Sequence, residues 1–142
     1  MQIALRPALA KDFDYCERLY FAGMDWIIDE LKLDRAAQAA GFRKDWALPQ
    51  VRIITLDGLD VGWLQTMARD DGFFLAQLFV DGPFQRRGIG TEVMSWLIRE
   101  AAGAKQAVLL AVVKINPALR LYERLGFQIT HEDDRKYYMK RS

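Results

Sequence analysis

The stretch from Phe73 to Val113 limits what this chain can fold into more than any other part of it. Residues 73–80 are a mostly apolar run of strand length, closed by the turn residues Asp81-Gly82-Pro83. Gln85-Arg86-Arg87-Gly88-Ile89-Gly90 follows. Ile89, Val93, Leu97 and Ala101 then recur every fourth position, the apolar stripe of an amphipathic helix, and Gly103 marks its stop. Residues 107–113 are apolar throughout, as befits a central strand covered on both faces. A strand–helix–strand unit crosses over right-handed, so 73–80 and 107–113 are expected to lie parallel.

The loop inside this unit has its own chemistry. Gly88 and Gly90 let the backbone approach a ligand without a Cβ in the way. The helix start offers free N–H groups and a positive dipole end, which favour an anion. Arg86 and Arg87 add charge suited to phosphate oxygens. The loop differs from the Walker pattern, because no Gly-Lys-Ser/Thr follows, and from the dinucleotide fingerprint, because Val93 stands where a third glycine would be. By themselves these six residues fit a phosphate site or a surface turn with two solvated arginines equally well.

The remaining segments read in order. Residues 2–6 form a first strand stopped by Pro7, Asp12 caps a helix over 13–23, and a second helix runs over 25–40 with Gly41 at its end. Residues 51–56 and 61–67 are strands joined by the hairpin signal Asp57-Gly58, and Asp70-Asp71-Gly72 turns the chain into 73–80. Asn116 caps a helix with Pro117 in its first turn, carrying Leu119, Tyr122 and Leu125 and ending at Gly126. Residues 127–129 and 136–139 make a final hairpin around a charged turn. The expectation is a single α/β domain over 1–142, with no repeat or linker.

Bulk composition narrows the function. Twenty basic and nineteen acidic side chains leave a net charge of +1, which excludes nucleic-acid binding through bulk charge and makes any phosphate site local. Cys16 is the only cysteine, so no internal disulfide can form; its helical spacing with Phe13, Leu19 and Tyr20 marks a semi-buried structural thiol. No metal-ligand motif stands out. No apolar run reaches membrane-spanning length and no cleavable leader pattern opens the chain, which points to a soluble, cytoplasmic protein without a membrane partner.

Three stretches together resemble the GCN5-related N-acetyltransferase (GNAT) superfamily. Gln85-Arg86-Arg87-Gly88-Ile89-Gly90 fits the family's Gln/Arg-x-x-Gly-x-Gly/Ala pattern. Leu78-Phe79-Val80 and Pro83 form its approach. Asn116-Pro117-Ala118 with Leu121-Tyr122-Glu123-Arg124-Leu125-Gly126-Phe127 is similar to the family's closing helix signature. The resemblance implies a GNAT fold: a mixed, mostly antiparallel sheet with a splayed parallel strand pair and about four helices. It implies acetyl-CoA or another acyl-CoA as co-substrate, with no metal. By the same resemblance, Gln85, Arg86, Arg87, Gly88, Ile89, Gly90 and Thr91 cradle the pyrophosphate, the backbone of Leu78, Phe79 and Val80 pairs with the pantetheine arm, and Asn116 touches that arm's other side. Tyr122 becomes the general acid that protonates the leaving thiolate.

Two features depart from the family. Asn116 to Tyr122 is one position shorter than in many members, so Ile115 stands at the usual asparagine place. Neither 73–80 nor 107–113 carries an acidic residue to act as general base; Asp25, Asp29, Glu30, Asp70, His131 or ordered water would have to serve. Tyr20, Met24, Trp26 and Gln77 are candidates for the acceptor pocket. The expected activity is acetyl transfer to the primary amine of a small molecule or amino acid. The alternatives are a protein N-terminal or lysine acetyltransferase, an O-acyltransferase and a non-catalytic acyl-CoA-binding module. Homodimers by final-strand exchange occur in the family, and nothing in the sequence decides that point.

Overall fold

Alternating and continuous apolar runs become strands, and four-residue apolar stripes become helices, at nearly every expected place. The computed structural model describes residues 2–142, so Met1 lies outside the described residues. Among the described residues are seven strands and four α-helices: β1 (Ile3–Pro7), α1 (Phe13–Glu30), α2 (Arg35–Asp45), β2 (Val51–Leu56), β3 (Leu59–Arg69), β4 (Gly72–Val80), α3 (Ile89–Gly103), β5 (Val108–Val113), α4 (Ala118–Arg124), β6 (Gln128–Glu132) and β7 (Lys136–Arg141). The strand order is β1-β2-β3-β4-β5-β7-β6. The sheet is mostly antiparallel with one parallel pair, β4 and β5, as expected.

The chain divides into two compact units. The first takes the residues up to Gln65 together with Gln77–Arg87. In it β1 pairs antiparallel with β2, and β2 with β3, across the Asp57-Gly58 turn, both of whose residues have positive φ. Its core joins Cys16, Leu19 and Tyr20 of α1 to Phe42 of α2 and to Val51, Ile53 and Trp63 of the sheet. Phe13, Phe42, Trp63, Phe79 and Tyr20 form a linked run of ring contacts with centroids 4.6–5.8 Å apart. Cys16 is fully buried, and burial pushes its thiol up to about 12.

The second unit takes Thr66–Ala76 and Gly88–Ser142. Here β4 runs parallel to β5 with Phe73, Phe74 and Leu75 opposite Val108, Leu109 and Leu110. β5 pairs antiparallel with β7 along its whole length, and β7 with the edge strand β6. Val93, Met94, Leu97 and Ala101 of α3 are buried, as are Val108, Leu109, Leu110 and Val112 of β5.

Several local expectations are corrected. α1 does not stop at Gly23 but continues to Glu30, because Gly23 lies under the Phe79 ring and is there for space, not for termination. The break falls at Leu31–Asp34, where Lys32 adopts φ 53° and Asp34 caps α2 by accepting from the Ala36 N–H at 3.2 Å. Gly41 therefore sits inside α2 and not at its end. Asp12 makes no cap bond to α1; its carboxylate accepts from the Leu9 N–H at 2.8 Å and pairs with Arg6 at 2.9 Å, closing the tight turn before the helix. Pro7 is the last residue of β1, not a stop beyond it. His131 stands on β6, not in a turn, with its ring stacked on Tyr138 at 4.4 Å.

Candidate functional site

Hydrogen bonds fix the entry to the glycine loop. The Asp81 N–H donates to the Val61 carbonyl at 2.8 Å, and the Asp81 carboxylate takes the Tyr15 hydroxyl at 3.4 Å and faces Arg18 at 3.7 Å. A single tight helical turn follows, with the Phe84 and Gln85 N–H groups donating to the carbonyls of Asp81 and Gly82. The Gln85 side chain reaches back and donates to the Val80 carbonyl at 2.9 Å. Gln85 thus ties the end of β4 to the loop by hydrogen bond. Arg87 lies over the Phe84 ring at 5.4 Å.

The loop backbone then takes two left-handed steps, at Arg86 (φ 63°) and Gly88 (φ 80°). The second requires glycine; the first is uncommon for arginine and has no sequence signature. α3 begins at Ile89, and its first bond runs from the Glu92 N–H to the Gly88 carbonyl at 2.9 Å. The N–H groups of Gly88, Ile89, Gly90 and Thr91 donate to no backbone acceptor among the described residues. Four free donors at the positive end of a fifteen-residue helix are an arrangement that favours an anion. A Cβ built on Gly88 or Gly90 would meet nothing within 4 Å, so the space above both is open.

Leu78, Phe79 and Val80 form the end of β4, beyond the three residues in register with β5. The Phe79 ring belongs to the core, against Trp63 and Tyr20 at 5.7 Å each, so only its backbone is left for a ligand. Gly62 of β3 comes so close that a Cβ there would lie 2.4 Å from the Phe79 carbonyl oxygen. Of the acceptor candidates, Trp26 is 43% exposed on α1, Met24 is half-buried beside the core, and Gln77 and Tyr20 line a cavity of the first unit.

In the second unit, Tyr122 stands on α4 with its ring edge-on to Phe127 at 6.0 Å. Burial raises its phenol above the usual value. Asn116 starts α4 after all, though from one residue outside its cap: its Oδ1 accepts from the Ala118 N–H at 2.9 Å and its carbonyl from the Leu119 N–H at 3.2 Å. Its amide Nδ2 remains a donor. Among the base candidates, Asp25 is paired with Arg35, while Asp29, Glu30, Asp70 and His131 are exposed. Among the described residues no three His, Cys, Asp or Glu side chains gather to hold a metal, and no helix is long and apolar enough to cross a membrane.

A mostly antiparallel sheet with one parallel pair, joined across that pair by a glycine loop opening a helix, defines a mixed α/β protein. Residues 49–129 match the family model described as acetyltransferase (GNAT) domain, and the chain belongs to the GNAT acetyltransferase family. No curated protein sequence matches it. Among solved structures, it is similar to the PaiA N-acetyltransferase of Thermoplasma acidophilum in complex with coenzyme A, at TM-score 0.82 and 13% identity over 100% of this chain and 99% of that one. It is also similar to Ard1 of Thermoplasma volcanium, at TM-score 0.72 and 20% identity over 99% and 97% of the two chains. Naa50 of Arabidopsis thaliana, solved with the bisubstrate analogue CoA-Ac-MVNAL, aligns at TM-score 0.63 and 17% identity over 100% and 99%. At these identities the likeness is one of fold.

Proposed function

We propose that this chain, as one acyltransferase domain over 1–142, transfers the acetyl group of acetyl-CoA to the primary amine of a small-molecule acceptor. The observation that carries the reading is the set of free N–H groups of Gly88 to Thr91 beneath two glycines with open space above them. A pyrophosphate fits such donors, and Arg86 and Arg87 supply countercharge. Gln85 holds the Val80 carbonyl and so sets the end of β4, whose backbone at Leu78 and Phe79 pairs with the amides of the pantetheine arm. Asn116 offers its Nδ2 to the same arm.

The amine attacks the thioester carbonyl carbon, the C–N bond forms and the C–S bond breaks. Tyr122 gives its phenolic proton to the departing sulfur, and the attacking nitrogen loses its proton to water or a carboxylate. A raised phenol pKa keeps Tyr122 protonated beforehand but makes it a weaker acid, so the transfer to sulfur depends on close approach of the two atoms. A peptide N-terminus is the second reading of the acceptor, favoured by the peptide-bearing analogue in the Arabidopsis neighbour. We place the protein in the cytoplasm.

Calorimetric titration with acetyl-CoA, and separately with CoA, tests the reading. Micromolar binding of both is expected, and Gly90→Trp, which fills the open space over the loop where the backbone is not left-handed, should abolish it while the protein stays folded. Failure of the parent chain to bind either ligand removes the proposal, and unchanged binding in the variant moves the site elsewhere.

A further inference from the structure

Asp81 is the first residue after β4 and the hinge between that strand and the glycine loop. Both of its backbone groups are fixed: its N–H donates to the Val61 carbonyl at 2.8 Å, and its own carbonyl accepts from the Phe84 N–H at 2.8 Å. Its side chain, 21% exposed, is the one acidic group between Gly72 and Thr91. Such a charge is unfavourable at the mouth of a loop that takes an anion. Arg86 and Arg87 follow closely, and the Gln85 bond to the Val80 carbonyl folds the loop back on the hinge. A free Asp81 carboxylate would repel phosphate oxygens there and compete with them for the two arginines.

Two residues of α1 take the carboxylate instead. The Tyr15 hydroxyl donates to Asp81 Oδ2 at 3.4 Å, and the Arg18 guanidinium faces the same oxygen at 3.7 Å. Arg18 also lies over the Tyr15 ring at 5.2 Å, so the two side chains brace each other. Burial, and then Asp81 and Asp60, raise the Tyr15 phenol, which therefore stays a neutral donor. Arg6, the other cation of α1's surroundings, is spent on Asp12 and Asp60. Among the described residues Arg18 is the one cation paired with Asp81, which leaves Arg86 and Arg87 to the loop.

We propose that Tyr15, Arg18 and Asp81 form a positioning clamp: Tyr15 fixes the hinge carboxylate to α1, and Arg18 cancels its charge so that Arg86 and Arg87 stay available to the phosphates of an acyl-CoA. The identity of the ligand rests on the proposed function. All three residues act through the hinge and not on the reacting atoms.

The full chain is titrated calorimetrically with CoA at about 0.02 M and about 0.5 M salt, where charges in water are weakly and strongly screened. Arg18→Ala should weaken binding about fivefold or more at low salt and much less at high salt, because salt screens the uncovered carboxylate. Arg18→Lys should stay near the parent chain. Arg18→Ala combined with Asp81→Asn should return to within about twofold of the parent, since asparagine keeps an acceptor for Tyr15 without the charge. Tyr15→Phe should weaken binding equally at both salts, because it loosens the hinge and changes no charge. Thermal melts of all variants should stay close to the parent, as exposed ion pairs add little stability. An unchanged affinity in Arg18→Ala, a loss equal at both salts, a double variant no better than Arg18→Ala, or full affinity in Tyr15→Phe overturns the clamp, while CoA binding by the parent keeps the acyl-CoA reading. A parent chain that binds no CoA overturns that reading and the clamp with it.

Discussion

Tyr122 combines a shielded ring with a phenol whose pKa is raised by burial, and the sign of that shift sets its pH behaviour. A raised pKa means the proton is held beyond the ordinary phenol value of ~10. Proton donation from Tyr122 should therefore persist across neutral and mildly alkaline pH, with its loss of kcat appearing only above that value. Tyr122→Phe should lower kcat by about 100-fold, within the usual range for a lost general acid, while acetyl-CoA affinity changes by no more than about twofold. Free-thiol release measures the first and calorimetry the second; full turnover in the variant would leave Tyr122 as a packing partner of Phe127. At this scale the loop was legible in part. Gly88 is favoured by its φ of 80°, but nothing in the protein crowds Gly90, so packing does not account for it. Arg86 at φ 63° could not be read, since arginine carries no left-handed preference. The Gln85 bond to Val80 was equally hidden, because a side-chain reach of five residues has no pattern in sequence.

Among the elements, those specified by their own periodicity and caps emerged as expected: β4, α3, β5 and α4 carry apolar patterns that need no neighbour to interpret. α1 and α2 did not, because the decisive contacts are tertiary. Gly23 looks like a stop, yet a Cβ there would come 2.8 Å from the Phe79 ring, so the glycine answers to a strand more than fifty residues away. Asp12 looks like a cap for α1, yet Arg6 and the Leu9 N–H claim its carboxylate. Gly62 is the same kind of residue within a strand, a sign of close backbone approach. Gly62→Ala must push the β4 backbone at Phe79 and Val80, since the added carbon would stand 2.4 Å from one carbonyl oxygen and 3.2 Å from the Val80 Cα. Overpacking of this kind costs about 1–3 kcal/mol. Urea denaturation should show that loss, and acetyl-CoA binding should weaken with it if β4 carries the pantetheine arm. A variant as stable as the parent would mean that β4 yields freely and positions nothing.

For the molecule as a whole, fold similarity at 13–20% identity shows which features carry the architecture: the order of elements, the apolar periods and a few glycines, not the side chains at large. The family match begins at residue 49, so α1 and α2 lie outside it, and with them Tyr20, Gln38 and Asp45 of the cavity. The loop signature that pointed to an acyl-CoA lies inside the matched residues, whereas the two helices expected to build the acceptor pocket do not, so the sequence suggested a co-substrate class and left the acceptor open. The net charge of +1 sharpens the point, because no overall field would draw an anionic ligand to the chain, so affinity for the proposed acetyl-CoA would have to come from oriented donors. Binding to the folded chain alone then stabilises it by RT ln(1 + [L]/Kd), about 2.7 kcal/mol at a hundredfold excess over Kd. With an unfolding entropy of about 2.1 cal/mol/K per residue, a chain of 142 residues should melt roughly 9 °C higher. CoA should give most of that rise if the pyrophosphate is the main anchor, whereas a rise confined to acetyl-CoA would put the main anchor at the acetyl group. In Gly90→Trp the rise should vanish with either ligand, and a full rise in that variant would show that the cofactor is held away from the loop.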